Sequence, residues 1–287
     1  MFEGFFTSMQ VAWAGCQISA RHQLKPPKTL ACHHPLEHAL YDTLNSSSSG
    51  VFVHWGVYES GKTTAVREAS WRLQEEGGRE VILLHGYNFR WLRPMKTWLR
   101  HAIGIPNEMH DRAISDLLIM PTTTLVIDHF DMLMREKDNT DDEALELVRH
   151  LISESALTQK FNVLLVVTSW ERAKELVDAG CKLMPGGPAR WTHDQLEILF
   201  STMTVSGKAL EKKDELLRLA TLSGTPGFLR FELHSGERTD SRHAAMHDLE
   251  WRKGTQALYG GSVLGPGRFP DRNGVYHHED LASIKPP

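Results

Sequence analysis

Four short apolar runs mark the first two thirds of the chain: Val51-Phe52-Val53-His54-Trp55, Val81-Ile82-Leu83-Leu84, Thr123-Thr124-Leu125-Val126-Ile127 and Val163-Leu164-Leu165-Val166-Val167. Their apolar residues are consecutive rather than alternating, the pattern of a strand covered on both faces. Between the runs the spacing becomes helical. Leu36, Ala39, Leu40 and Leu44 fall three to four positions apart, with Pro35 suited to a first turn. Further helices are predicted over about 62–76, 91–102, 108–119 and 171–179. Another starts at the capping box Thr140-Asp141-Asp142-Glu143, with Ala144, Leu147, Val148 and Leu151 on its apolar face. Strands alternating with helices predict an α/β fold, a parallel sheet between two helical layers.

Past Gly186-Gly187-Pro188 the strand pattern stops. Thr192-His193-Asp194-Gln195 is a second capping box, leading into Leu196, Leu199, Phe200 and Met203. A further helix is predicted over about 208–222, followed by the turn Gly224-Thr225-Pro226-Gly227. The pattern divides the chain into a poorly specified leader (1–34), an α/β unit (35–188), a small helical unit (189–235) and an irregular or partly disordered tail (236–287).

The junction between the first strand and the next helix carries the strongest chemical signal. Gly56-Val57-Tyr58-Glu59-Ser60-Gly61-Lys62-Thr63 fits G-x-x-x-x-G-K-[ST] at every fixed position, with a strand before it and a helix after it. Such a loop curls so that successive N–H groups point inward, and the helix N-terminus adds positive potential. The expected nucleotide-binding set is Gly56, Val57, Tyr58, Glu59, Ser60, Gly61, Lys62, Thr63 and the adjoining Thr64. Lys62 would place its charge on the β- and γ-phosphates, and Thr63 its hydroxyl on Mg²⁺. Asp128 closes the third apolar run. An acid at the carboxyl end of a central strand lies beside such a loop, so Asp128 is the expected second Mg²⁺ residue.

With these two elements the chain resembles the P-loop NTPases, and within them the AAA+ and STAND families, over about residues 35–235. The resemblance implies a three-layer α/β/α P-loop NTPase with a parallel sheet, followed by a small helical lid. It implies ATP and Mg²⁺ as cofactors and hydrolysis of ATP to ADP and phosphate. It also implies a polar sensor for the γ-phosphate after the fourth strand, where Thr168 and Ser169 stand. Capping of the helix from Trp170 is the alternative for either residue. Gly224-Thr225-Pro226 resembles the STAND lid turn, which would bring Pro226 to the nucleotide; a plain helix joint is the other reading. Arg230 resembles a lid arginine, and Pro35-Leu36-Glu37-His38-Ala39-Leu40 the segment lining the adenine pocket.

The chain departs from the family pattern directly after Asp128. A water-polarising glutamate is common there, and this chain has His129 in the run Asp128-His129-Phe130-Asp131. Asp131 is the nearer carboxylate for that task and resembles the second acid of STAND-type runs; Glu59 is another, with a solvated side chain as its plainer role. The expected catalytic set is therefore Lys62, Asp128, Asp131, Thr168 and Ser169. Two further readings stand beside an ATPase: a nucleotide-binding regulatory module with little turnover, and a small-molecule or nucleotide kinase. The kinase reading is disfavoured because no arginine-rich lid run is present. Arg172 and Arg190 occupy places where a trans-acting arginine often resides, though surface arginines are common. Tyr87 to Arg100 interleaves aromatic and basic residues, which suits nucleic acid. Trp91, Met95, Trp98 and Ala102 share one helical face there, which favours packing.

Composition narrows the partners. Hydrophobic residues make up 41% and charged residues 24% of 287 residues, an ordinary globular balance that excludes wholesale disorder. A net charge of -4 excludes a polybasic nucleic-acid binder as a whole-chain description. Three cysteines build no disulfide framework and suit a reducing intracellular compartment, cytoplasm or nucleus. No apolar run reaches membrane-spanning length, so no membrane partner is expected. Histidine is frequent at 16, yet Cys32-His33-His34 and His277-His278 fit no zinc spacing. A nucleoside triphosphate is the expected ligand. Homo-oligomerisation and a protein or nucleic-acid client remain open.

Overall fold

The computed structural model describes residues 24, 34–46, 49–57, 59–86, 123–134, 141–158, 161–184, 190–202 and 211–230. The helices expected over 91–102 and 108–119, the aromatic and basic segment from Tyr87 and the tail over 236–287 lie outside these residues, as do nearly all of the leader, Tyr58 and the side chain of Arg230.

Five parallel strands form one sheet. They are β1 (Gly50–Trp55), β2 (Glu80–His85), β3 (Thr123–Asp128), β4 (Asn162–Val167) and β5 (Lys182–Leu183), in the order β2-β3-β4-β1-β5. Every residue of β1, β3 and β4 is buried. The four strands expected from the apolar runs are present. β5 was not expected, because two residues are too few to show a period.

Helices α1 (Glu37–Ser46) and α2 (Lys62–Glu75) cover one face, where Leu40, Leu44, Ala65, Ala69 and Leu73 pack on Phe52, Val126, Leu164 and Val166. Helices α3 (Asp141–Thr158) and α4 (Trp170–Asp178) cover the other, with Val148, Leu151 and Leu176 in one core with Val53, Ile127, Leu165 and Val167. This is the three-layer α/β/α arrangement. Strand side chains alternate between faces, so each apolar run feeds both cores.

The α5 (His193–Thr202), α6 (Lys213–Ser223) and α7 (Gly227–Arg230) helices follow, with a separate core of Trp191, Leu196, Phe200, Leu216, Leu219, Ala220 and Phe228. The capping box forms as its residue types require. Gln195 N donates to Thr192 Oγ1 at 3.3 Å, and Thr192 N donates back to Gln195 Oε1 at 3.0 Å. The α6 helix runs Lys213–Ser223, and residues 208–210 of the expected span lie outside the described residues. It ends at Gly224 in the left-handed region (φ 67°), which a glycine adopts without Cβ strain. Among the described residues no helix is long and apolar enough to cross a membrane.

Candidate functional site

Every strand of the sheet points its carboxyl end to the same edge, and the expected site residues gather there. β1 ends at Trp55. Gly56 N donates to Val167 O of β4 at 3.4 Å, so the loop begins tied to the neighbouring strand. A Cβ on Gly56 would come within 3.2 Å of Lys62 Cδ and Ser60 Oγ, tight enough to disturb both. The loop then turns through Glu59 (φ 62°) and Gly61 (φ 89°) into α2. Ser60 N donates to Val57 O at 3.3 Å.

Lys62 is almost fully buried and its Nζ donates to Val57 O at 2.7 Å, spanning the loop. Burial pushes its ammonium down to about 8, against the pull of the Asp128 and Asp131 carboxylates. Thr63 Oγ1 donates to Asp128 Oδ2 at 2.8 Å, joining residues far apart in sequence. Thr64 lies half-buried in the first turn of α2.

Asp128 has no exposed surface, and three groups converge on it. Thr63 occupies Oδ2, His129 N donates to Oδ1 at 3.0 Å, and His85 Nδ1 lies 3.4 Å from Oδ2. Burial pushes the carboxyl up, but His85, His129 and Thr63 outweigh it and hold the carboxylate below its usual range. Asp128 is therefore an anion at neutral pH. A hydroxyl and an anionic carboxylate side by side are the hard oxygen donors that Mg²⁺ takes alongside phosphate and water. The residues present fit such an ion.

The surroundings of His129 and Asp131 differ in kind. His129 adopts the left-handed region (φ 55°), which is uncommon for a residue with a Cβ. Its Nε2 lies 3.5 Å from Thr63 Oγ1. Asp131 sits in a short 3₁₀ turn (Phe130–Met132), and its Oδ2 accepts from Thr168 Oγ1 just past β4. Asp131 Oδ1 is buried and has no hydrogen-bond partner among the described residues. Ser169 is engaged otherwise: as N-cap of α4 it accepts from Arg172 N at 3.2 Å.

The helical unit reaches the loop at two points. Trp191 Nε1 donates to Ser60 O at 2.9 Å. Gly227 lies against Glu59 so closely that a Cβ there would fall 2.3 Å from Glu59 Cβ. Pro226 is half-buried in the same turn, and its carbonyl accepts from Leu229 N. Arg190 turns its guanidinium to the carbonyls of Thr221 and Leu222, and Arg172 pairs with Glu175 at 2.9 Å. Both arginines are thus engaged within the chain.

Three neighbours of the site escaped the sequence pattern: His85, His34 and Trp191. His85 closes β2 in register with Asp128. Its Nε2 lies 3.3 Å from Arg67 Nη2. A guanidinium only donates, so Nε2 accepts and the proton sits on Nδ1, facing Asp128. Parallel strands end level with one another, and that rule applied to β2 would have pointed to His85. His34 and Trp191 are isolated residues in segments without periodicity, and no sequence signal marks them.

No family model matches the chain, and no curated protein matches it. Solved structures do resemble it. A Walker-type ATPase of Pyrococcus abyssi is 14% identical, with 82% of this chain and 76% of that one covered and a TM-score of 0.45. Domain III of the Thermotoga maritima replication initiation protein DnaA is 14% identical, with 75% and 90% covered and a TM-score of 0.41. A chain of the Drosophila ORC bound to DNA is 16% identical, with 80% and 62% covered and a TM-score of 0.41. Likenesses this distant carry no weight for activity. Loop, sheet and site residues carry the fold assignment: the chain has a three-layer α/β/α fold, a parallel sheet with the glycine-rich loop and Asp128 at its carboxyl edge.

Proposed function

We propose that this chain binds ATP with Mg²⁺ and hydrolyses it to ADP and phosphate, using the cycle as a conformational switch of AAA+ or STAND type. The observation that supports the reading is the Thr63–Asp128 contact at 2.8 Å beside a buried Lys62, the combination a site for Mg²⁺ and a triphosphate would need. Loop N–H groups and the Lys62 ammonium would grip the phosphates. A Mg²⁺ ion held by Thr63 and Asp128 would supply charge neutralisation at the β- and γ-phosphate oxygens. Thr168 has a single hydroxyl proton. Given to a γ-phosphate oxygen, it leaves Asp131 free to accept a proton from water. The water oxygen then bonds to the γ-phosphorus, and the bond to the bridging oxygen of ADP breaks. The unpartnered Asp131 Oδ1 supports this role over Glu59, whose side chain packs on Gly227.

The lid of this proposal is the helical unit over 189–235, with the turn at Pro226 moving as the γ-phosphate comes and goes. The compartment would be intracellular. A second copy of the chain, a protein or a nucleic acid would receive the motion.

Phosphate release tests the reading. Lys62→Ala abolishes nucleotide binding and turnover. Asp131→Ala keeps binding and lowers turnover by about a hundredfold, within the range for general-base loss. His129 favours the second reading, a nucleotide-binding module with little turnover, because an imidazole stands where a carboxylate is usual. ATP binding with no phosphate release above background would select that module and reject the enzyme.

A further inference from the structure

We infer that His34 and Trp191 are positioning residues that aim the Gly61 N–H into the phosphate cradle by holding the opposite end of the same peptide unit. The inference rests on the nucleotide-binding reading above and concerns how this chain shapes its loop.

Two ring N–H groups meet on one carbonyl. Trp191 Nε1 donates to Ser60 O at 2.9 Å, and His34 Nε2 lies 3.1 Å from the same oxygen. The tautomer of His34 follows from its other nitrogen. Leu36 N donates to Nδ1 at 3.1 Å, so Nδ1 is the acceptor and Nε2 carries the proton. Both rings are buried, and they meet edge to face with centroids 5.3 Å apart. The carbonyl has two lone pairs and receives two donors from two rigid rings.

A trans peptide puts its C=O and its N–H on opposite sides. Drawing Ser60 O toward the rings turns Gly61 N–H away from them, toward the concave side that Lys62 spans. Gly61 makes the arrangement possible twice over. Its φ of 89° suits a glycine, and a Cβ there would approach His34 Cδ2 to 3.0 Å and Trp191 Cζ2 to 3.6 Å. The two donors come from opposite sides of the sequence. His34 precedes α1, whereas Trp191 N donates to Gly224 O of the lid turn at 3.1 Å. One loop peptide is thereby gripped by the residue leading into α1 and by the lid together. Lid displacement would release one donor and let the peptide rotate.

Trp191→Phe keeps an aromatic ring, smaller than indole, and removes the donor; His34→Phe keeps an aromatic ring and removes the Nε2 donor together with the Nδ1 acceptor of Leu36 N, so the thermal midpoint is read beside its affinity. The readouts are calorimetric affinity for Mg²⁺ with ATP, GTP or tripolyphosphate, and the thermal midpoint without ligand. Tripolyphosphate has no base, so it reports the cradle alone. Each variant should lose about three- to tenfold in affinity for tripolyphosphate, and the same factor for ATP, as expected for one hydrogen bond. A merely structural role would lower the ligand-free midpoint and leave the affinity of the folded protein unchanged, and that result overturns the inference. Loss for ATP with none for tripolyphosphate also overturns it, because the rings would then act on the base. If one variant does not fold, the other carries the same test. If the wild type binds neither ATP nor tripolyphosphate, the nucleotide reading itself fails and takes the inference with it.

Discussion

The phosphate loop at the end of β1 stands on a sheet packed from both faces, whereas α5, α6 and α7 rest on one small core of their own and meet the loop through Trp191 and Gly227. Charge and grip belong to the first region. Lys62 and Thr63 open α2 and Asp128 ends β3, two elements that cannot shift without disturbing the apolar layers they pack in. Among the described residues the second region touches the loop through the Trp191 indole and the close approach of Gly227 to Glu59. A rigid grip beside a separately packed cover is the division of labour that the proposed switch would use.

The largest test of this contrast is a pair of cavities. Leu165→Ala in β4 and Leu196→Ala in α5 each remove a fully buried side chain, at about 2–5 kcal/mol. The first should lower hydrogen-exchange protection across β1, β3 and β4. The second should lower it in α5 and α6 and leave the strands as they were. Equal loss in β4 from both variants would show one cooperative unit and end the comparison.

Acid should strike the sheet side. Burial pushes His54 down to about 3 and His34 down to about 4, from an ordinary value of 6.5. Both are neutral in the fold, and the unfolded chain binds the proton more tightly. Their contribution is therefore complete above pH 6.5 and is lost as pH falls toward about 4 for His34 and about 3 for His54. At pH 5 each costs about 2 kcal/mol. Urea midpoints at pH 7.5 and pH 5 measure the loss, and His54→Leu should reduce it. An unchanged pH dependence in that variant would contradict the assignment.

The smallest effect separates two neighbours. Ser169→Ala should cost about 1 kcal/mol through the lost cap and leave phosphate release unaltered, while Thr168→Ala should slow release. A drop in turnover for Ser169→Ala at unchanged folding would return Ser169 to the catalytic set.

Local chemistry made the grip legible in the sequence. Glycines, Lys62 and Thr63 are contiguous, and Asp128 follows an apolar run that has little choice but to be a central strand. The Thr192–Gln195 box was equally readable, because both partners lie within one helical turn. The remainder depends on long-range placement. Nothing in its immediate surroundings tells His34 that it will meet Ser60, or Trp191 that it will reach across to the same carbonyl. Thr168 and Ser169 are adjacent hydroxyls that the sequence cannot rank. The fold parts them, giving Asp131 to one and the α4 terminus to the other.

β4 lies between β1 and β3, so the strand that launches the loop and the strand that ends in Asp128 never pair with each other. On the proposed reading, the loop that would hold the phosphates follows β1, and Asp131, the acid that would serve turnover, follows β3. On that reading, a substitution at Asp131 would silence turnover and leave the loop intact, because a whole strand stands between the two elements.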